Sequence, residues 1–516
     1  MCPKNESAVF AWRGWLVRNE RWIAGVLLLL AVTVRLFALT RLPDDLNQDE
    51  ASSGYEAWAL LNYGIDRNGN PWPVLLVSWG SGQNVLYSVL DMPFILLFGL
   101  NMFSLRLPAA LLGIVAVVVF WRLARRCRGI ICGLCALCLI TINPWHIMAS
   151  RWALESNIMP VFLLLGLFCT VKAEENIRWL FGAAGSFALM LYAYGTAFFF
   201  LPGFLVIYVL LNRSLLREKI FYFAGILFGL LSLPIVLCQL INLTGGSGFS
   251  LLGMTIPKLT QARQTAVSVF GTGLSGIAKN LWDFLRLLVK QSDGLDYNAI
   301  ASGGLYYFFG LPLAAAGLFR SIKERREHKK ELSLRLALLT ACMCACLISV
   351  NINRVNMVWL PLLYFQSVGL DWLGRCFAAK GNAILTVGIT LCFALFLASY
   401  VKKVETSSNV NGLNEAIAFA ETATEGDIYI TDDLPAPYIY VLFFRQISPK
   451  DFSQTAVYDY PDAAFRNVTQ FSRYVFQERN GAECFVLCQG EFSDLAQEEY
   501  QWLGEFGNYV VCRPVT

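Results

Sequence analysis

Apolar stretches with few charges, about 17 to 22 residues long or a little shorter, recur along this chain, and that is the length an α-helix needs to cross a bilayer. They lie near residues 22–40, 104–122, 130–143, 157–172, 178–194, 196–212, 219–241, 305–319, 332–350, 355–371 and 382–400. One soluble core has no use for so much apolar surface: 56% of the 516 side chains are hydrophobic and only 15% are charged. The expected fold is an α-helical polytopic membrane protein with about 11 transmembrane helices. The first stretch follows Arg13, Arg18 and Arg21, and no small-residue cleavage site follows "VRLFALTRLPDDL". It therefore reads as an uncleaved first helix with the N-terminus in the cytoplasm. The formal charge of +4 reflects uneven loops and gives no reason to expect nucleic acid.

The segment 83–100, "QNVLYSVLDMPFILLFGL", is apolar enough to span but contains Asp91 and Pro93. Loop charge decides against a crossing. If the segment lies along the interface, "RLARRCRG" at 122–129 falls inside, as the preference for cytoplasmic cations requires. "LNRSLLREK" at 211–219, "RSIKERREHKKE" at 320–331 and "GRCFAAK" at 374–380 then fall inside as well. The external segments become 41–103, 144–156, 242–304, 351–354 and everything after about 401. This divides the chain into a membrane module, 1–400, and a small extracytoplasmic α/β domain, 401–516, with "DIYIT", "AECFVLC" and "NYVVCRP" as its strands. Cys484, Cys488 and Cys512 in that domain are candidates for one disulfide. "CGLCALC" at 132–138 has C-x-x-C spacing but lies in an apolar run with no histidine inside it, which argues against zinc.

Several ionisable residues stand where lipid disfavours them. Arg35 is inside the first span near its outer end, Arg106 opens the second in "FSLRLPAALLG", Arg151 and Glu155 stand in "SRWALESN", and Arg354 in "NINRVN". Any single arginine can snorkel to the headgroups. Four of them on the side that also carries Asp49, Glu50 and Glu155 suit a reaction on an anionic, lipid-anchored substrate. The stretch "NQDEASSGYEAWAL" at 47–60 has two readings: Asp49 and Glu50 can cap the start of a helix, and a carboxylate fixed there can take a proton from an acceptor hydroxyl.

The first-loop "DE", the "RLPAALLG" opening, the "SRWALES" loop and the "NRVNMVWLPLLYF" span occur in the order and on the side found in one family. The chain resembles the polyprenyl-phosphate-dependent glycosyltransferases with the GT-C fold, including the family 39 protein O-mannosyltransferases and the aminoarabinose transferase of lipid A. "YGIDRNGNPWPVLLVSWGSGQNVLYS" looks most like the bacterial members. The resemblance implies Asp49 as general base or acceptor-orienting carboxylate with Glu50 in support, and Arg106 as a contact to the donor phosphate. Glu155 is the nearest counterpart of an acid that is often Asp in the lipid A branch. Arg35, Arg151 and Arg354 join it as candidate substrate contacts.

The implied reaction is displacement of polyprenyl phosphate at the anomeric carbon by an acceptor oxygen that Asp49 deprotonates, with arginines neutralising the leaving group. One base without a second carboxylate for proton donation gives inversion, by the logic of inverting glycosidases. The chemistry demands no metal or other cofactor, and the first loop has "DD" and "DE" but no D-x-D. A transporter or flippase would place polar groups deep in several spans and show internal repeats; neither is apparent. A non-catalytic scaffold gives no reason for carboxylates to adjoin arginines. The expected setting is a bacterial plasma membrane, Gram-positive on this reading, with a polyprenyl-phosphate-linked sugar as donor and a cell-envelope glycan, lipid or protein as acceptor.

Overall fold

The structure is a computed structural model that describes residues 6–261, 273–377, 379–404, 409–463, 465–477, 479, 481–495 and 499–515. Its N-terminal helices are α1 (Glu6–Arg18), α2 (Glu20–Leu36), α3 (Gln48–Tyr63), α4 (Leu86–Phe98), α5 (Met102–Arg128), α6 (Ile130–Ile142), α7 (Pro144–Ala149) and α8 (Glu155–Ala173). Among the described residues four helices are long and apolar enough to cross a membrane: Met102–Arg128, Glu155–Ala173, Lys219–Thr244 and Lys380–Lys403. The apolar helices Leu86–Phe98, Ile130–Ile142, Trp179–Ala193 and Ala197–Leu211 are shorter. At about 1.5 Å per residue a 13-residue helix such as α6 reaches only about 20 Å. Local breaks shorten such helices: Pro144 opens α7 directly after Asn143, and Gly129 takes φ 85° before α6. Helix length therefore supports fewer spans than the apolar windows alone suggest.

The chain divides into two compact units, a helical one (1–39, 109–233, 264–402) and a mixed one (40–108, 234–263, 403–516). In the helical unit the Gly310–Lys323 and Trp359–Cys376 helices cross at two glycines. A Cβ on Gly317 would collide with the Phe365 carbonyl, and one on Gly369 with the Leu313 carbonyl. Small residues permit this backbone approach. Elsewhere the Ala379–Val404 helix exposes Ile384, Val387, Leu391 and Leu395, an apolar face suited to lipid.

Ion pairs gather several loops at one end of this unit. Arg13 meets Asp371 at 2.8 Å, Arg125 meets Glu20 at 2.6 Å, and Arg128 meets Glu324 at 2.8 Å as well as Glu331. Glu175 binds both Arg126 and Lys330. The segments 122–129 and 320–331, read above as facing one side from charge alone, thus share one end with the start of α2 and the end of α8.

The mixed unit is built on a seven-stranded sheet whose spatial order is Tyr500–Phe506, Tyr509–Pro514, Cys484–Cys488, Ile428–Ile430, Tyr474–Val475, Val468–Phe471 and Val457–Tyr458. Ile428–Ile430 runs parallel to both neighbours and the other pairs are antiparallel. Tyr429, Phe485, Leu487 and Cys512 form a core on it. Cys484, Cys488 and Cys512 are free thiols, so the disulfide considered above is not formed. α3 packs against α4 and the Pro437–Arg445 helix, and the Tyr55 hydroxyl donates to the Ile447 carbonyl at 2.7 Å. Gly54 allows that packing, since a Cβ there would lie 3.0 Å from both Leu105 and Phe443.

Candidate active site

The sequence Asn47-Gln48-Asp49-Glu50 makes its own helix start. Asn47 Oδ1 accepts from the Asp49 amide at 2.8 Å, and Glu50 Oε2 accepts from the Asn47 amide at 3.2 Å. This is a capping box: it satisfies donors that the first turn would leave orphaned, and negative charge is favourable at that end of the helix. Both acids therefore sit in the first turn of α3, Glu50 fully buried and Asp49 half-buried.

Glu50 is fixed a second time by Arg106. Arg106 Nε donates to Oε1 at 3.1 Å and Nη2 to Oε2 at 3.0 Å. Arg106 also donates to the carbonyls of Pro43, at 2.6 Å, and Asp45. Its guanidinium thus ties the loop before α3 to the carboxylate inside it, and it is fully buried. Gln83 completes this wall: Nε2 donates to the Asp49 carbonyl at 3.2 Å and to Ser53 Oγ at 2.9 Å, while Oε1 accepts from Ser52 Oγ at 2.7 Å.

Three further carboxylates surround this start, none of them among the residues picked from sequence. Asp45 accepts from the amides of Leu46 at 3.0 Å and Asn409 at 3.1 Å; burial nevertheless pushes its pKa up to about 6, with those amides pulling it the other way. Asp91, on α4, is fully buried, and neither of its oxygens has a hydrogen-bond partner among the described residues. Burial, with the Glu50 charge adding to it, pushes its pKa well up. Two turns into α3, Glu56 pairs with Arg67 at 2.9 Å, both buried. The Arg67 guanidinium lies 4.9 Å from the Trp79 ring centroid and 5.7 Å from that of Tyr438. Helical spacing was the available signal for Glu56, which falls on the same face as Ser52 and Ser53. Arg67 had none, because its partners are set by the fold of the 64–84 loop.

The remaining candidates lie in the helical unit. Arg35 is fully buried and donates to the carbonyls of Ala31 at 3.1 Å, Ile140 at 3.0 Å and Thr141 at 3.5 Å. Its Nη2 is 2.8 Å from His146 Nδ1. Burial and the Arg35 charge keep His146 neutral by pushing its pKa well down, so Nδ1 is the acceptor. Arg151 donates to the carbonyls of Val34 at 2.8 Å, Phe37 at 2.7 Å and Ala38 at 3.1 Å. Both arginines thus bind carbonyls at helix ends, a favourable place for a cation. Among the described residues Arg35 has no carboxylate partner and its buried Nε has no acceptor. Glu155 begins α8. Asn356 Nδ2 donates to the Ser156 carbonyl at 2.5 Å, which sets the turn carrying Arg354 beside that start; Arg354 itself bonds Ser349 Oγ. Among the described residues no three His, Cys, Asp or Glu side chains are grouped to hold a metal ion.

Comparison with known proteins follows the same division between sequence and fold. Residues 89–238 match the family described as dolichyl-phosphate-mannose-protein mannosyltransferase. The chain is 26% identical over 222 residues to YycA of Bacillus subtilis, which carries a mannosyltransferase name; this covers 41% of the chain and 30% of that protein. It is 28% identical over 170 residues to a polyprenol-phosphate-mannose–protein mannosyltransferase of Mycobacterium tuberculosis, covering 32% and 30%. The match thus spans about a third of the length of these relatives. The crystal structure of ArnT from Cupriavidus metallidurans bound to undecaprenyl phosphate is similar over 98% of both chains, with TM-score 0.60 at 13% identity. The chain thus shares the overall fold of ArnT, and within it residues 89–238 are similar in sequence to the mannosyltransferases named above.

Proposed function

We propose that this protein transfers a single sugar from a polyprenyl-phosphate donor to a hydroxyl acceptor at the outer face of a plasma membrane, with inversion at the anomeric carbon. The observation that carries the reading is the start of α3 within a GT-C fold. Two adjacent carboxylates are divided there: Glu50 is immobilised by Arg106 and the capping box, and Asp49 is half-buried one position before it. Carboxylates held in different environments take different roles. Asp49 accepts the proton of the acceptor hydroxyl as its oxygen attacks; Glu50 orients the turn that carries Asp49. The sugar–phosphate bond breaks as the new glycosidic bond forms, and the electron pair leaves on the phosphate.

Arg106 acts first as the clamp on Glu50, and would reach a donor phosphate only by loosening that grip. Arg35 is a buried cation whose partners among the described residues are all neutral, and with Arg151, Arg354 and Glu155 it forms the candidate donor-binding set. Mannose is the sugar to test first, since the relatives named above carry mannosyltransferase names. The proposed topology keeps the end that holds the ion-pair cluster in the cytoplasm and residues 401–516 outside.

The experiment is transfer from labelled polyprenyl-phosphate mannose, by purified protein in vesicles, to acceptors extracted from envelope fractions. Transfer that falls by roughly 10² to 10⁴ in Asp49→Asn is expected for loss of a general base. A fully active Asp49→Asn enzyme defeats the mechanism, and absence of any sugar transfer across a panel of donors defeats the function.

A further inference from the structure

We propose that the helical unit holds a second anion site, for the phosphate headgroup of an anionic membrane lipid, at the end where α2 begins and α5 and α8 finish. A cavity of about 500 Å³ lies there. Its wall carries five cations, Arg21, Arg122, Arg125, Arg126 and Lys172, against one carboxylate, Glu20. Three of the cations are engaged. Arg125 pairs with Glu20 and Arg126 with Glu175, while Lys172 Nζ lies 3.4 Å from the centroid of Trp179. Arg21 and Arg122 are exposed and have no hydrogen bond or ion pair among the described residues. A further donor also stands idle: Trp121, on the cavity wall, has its indole Nε1–H buried without an acceptor among the described residues. Two open guanidiniums and an orphaned N–H around one cavity match the oxygens of a phosphodiester.

The positive-inside tendency alone would account for cations at this end, but not for this arrangement. Cations placed only by that tendency need no cavity, as with Arg213 and Arg217 on their exposed turn, and they leave no buried donor unsatisfied. A lipid is the occupant favoured over a soluble phosphate. The cavity lies at the ends of α5 and α8, two helices apolar enough to cross the membrane, and the aromatic rings of Trp121 and Phe168 line it. Aromatic rings at the headgroup level beside a basic pocket between helices suit an acidic lipid whose chains run back along the helices. The site rests on the unit being embedded in a bilayer and not on the sugar-transfer reading.

The test is native mass spectrometry of the full-length purified protein titrated with phosphatidylglycerol, phosphatidylcholine and glycerol 3-phosphate. Phosphatidylglycerol should be retained in preference to phosphatidylcholine, and the R21Q/R122Q double variant should weaken that retention roughly tenfold or more, at about one surface cation's attraction each. W121F should weaken it by a smaller factor, and serves as the second probe if the double variant does not fold. The charge-matched pair R213Q/R217Q should leave it unchanged. Three results overturn the site: equal loss in R213Q/R217Q, full retention in both R21Q/R122Q and W121F, or glycerol 3-phosphate competing at the same concentration as the lipid. Failure of sugar transfer in the Asp49→Asn experiment leaves all of these measurements unaffected.

Discussion

Arg106 grips both carboxylate oxygens of Glu50, at 3.1 and 3.0 Å, across 56 positions of sequence, and neither side chain reaches solvent. Together with the capping box this leaves Glu50 two reasons to stay where it is, while its neighbour Asp49 keeps partial exposure. A buried charge that loses its partner is costly, commonly about 3–5 kcal/mol. Glu50→Gln and Arg106→Met should each lower the unfolding midpoint sharply, and the double variant should lose less than the sum of the two. Additive losses in thermal unfolding would mean that the two residues stabilise the fold independently.

Asn47 and Asp49 can be separated by experiment. Asn47→Ala removes the cap and should cost about 1 kcal/mol of stability, leaving residual sugar transfer in proportion to folded protein. Asp49→Asn should do the reverse, keeping the unfolding midpoint while turnover falls. If both variants lose stability and activity together, Asp49 has a structural role only.

Asp45 gives a pH signature. Burial holds its pKa at about 6 in the folded chain, above the roughly 3.9 of an unfolded one. The folded state therefore binds the proton more tightly, so the contribution is fully present below about pH 4 and is lost as pH rises through about 6. Asp45→Asn keeps an acceptor oxygen for the Asn409 and Leu46 amides but does not titrate. Its melting temperature should vary less than that of the parent between pH 4 and 6, and should exceed it at pH 7.

The glycine crossing of the Gly310–Lys323 and Trp359–Cys376 helices admits no Cβ on either side. Gly317→Ala should destabilise by about 1–3 kcal/mol or more, as overpacking does, because the obstruction is backbone and cannot rotate away. Gly388→Ala meets nothing within 4 Å and should be silent or slightly stabilising in the same melting assay.

Topology is testable by cysteine labelling in a background free of native cysteines. Positions Arg126 and Lys329 should react only from the cytoplasmic side, and Asn68 and Asp432 only from outside. The ion-pair cluster joins segments 122–129 and 320–331 at one end, so labelling of Arg126 and Lys329 from opposite sides would contradict the structure as well as the loop-charge reading.

Sequence alone determined what depends on near neighbours. A helix buries its own backbone polar groups, so an apolar run is enough to announce a membrane helix; the helix start at "NQDE" was legible too, although the cap is Asn47, with Glu50 three residues on, and not Asp49 as expected from the sequence. The tertiary structure decided what depends on which helices pack together. Nothing local could say that Arg106 would close on Glu50, that Arg35 would reach carbonyls more than 100 positions away on α6, or that Glu56 and Arg67 would be sealed beneath Trp79 and Tyr438. An arginine in an apolar segment must find acceptors, and the sequence states that need without naming them. Asp91 is the complementary case: its presence in an apolar run was plain, but only packing against α3 removed it from solvent and from every donor among the described residues.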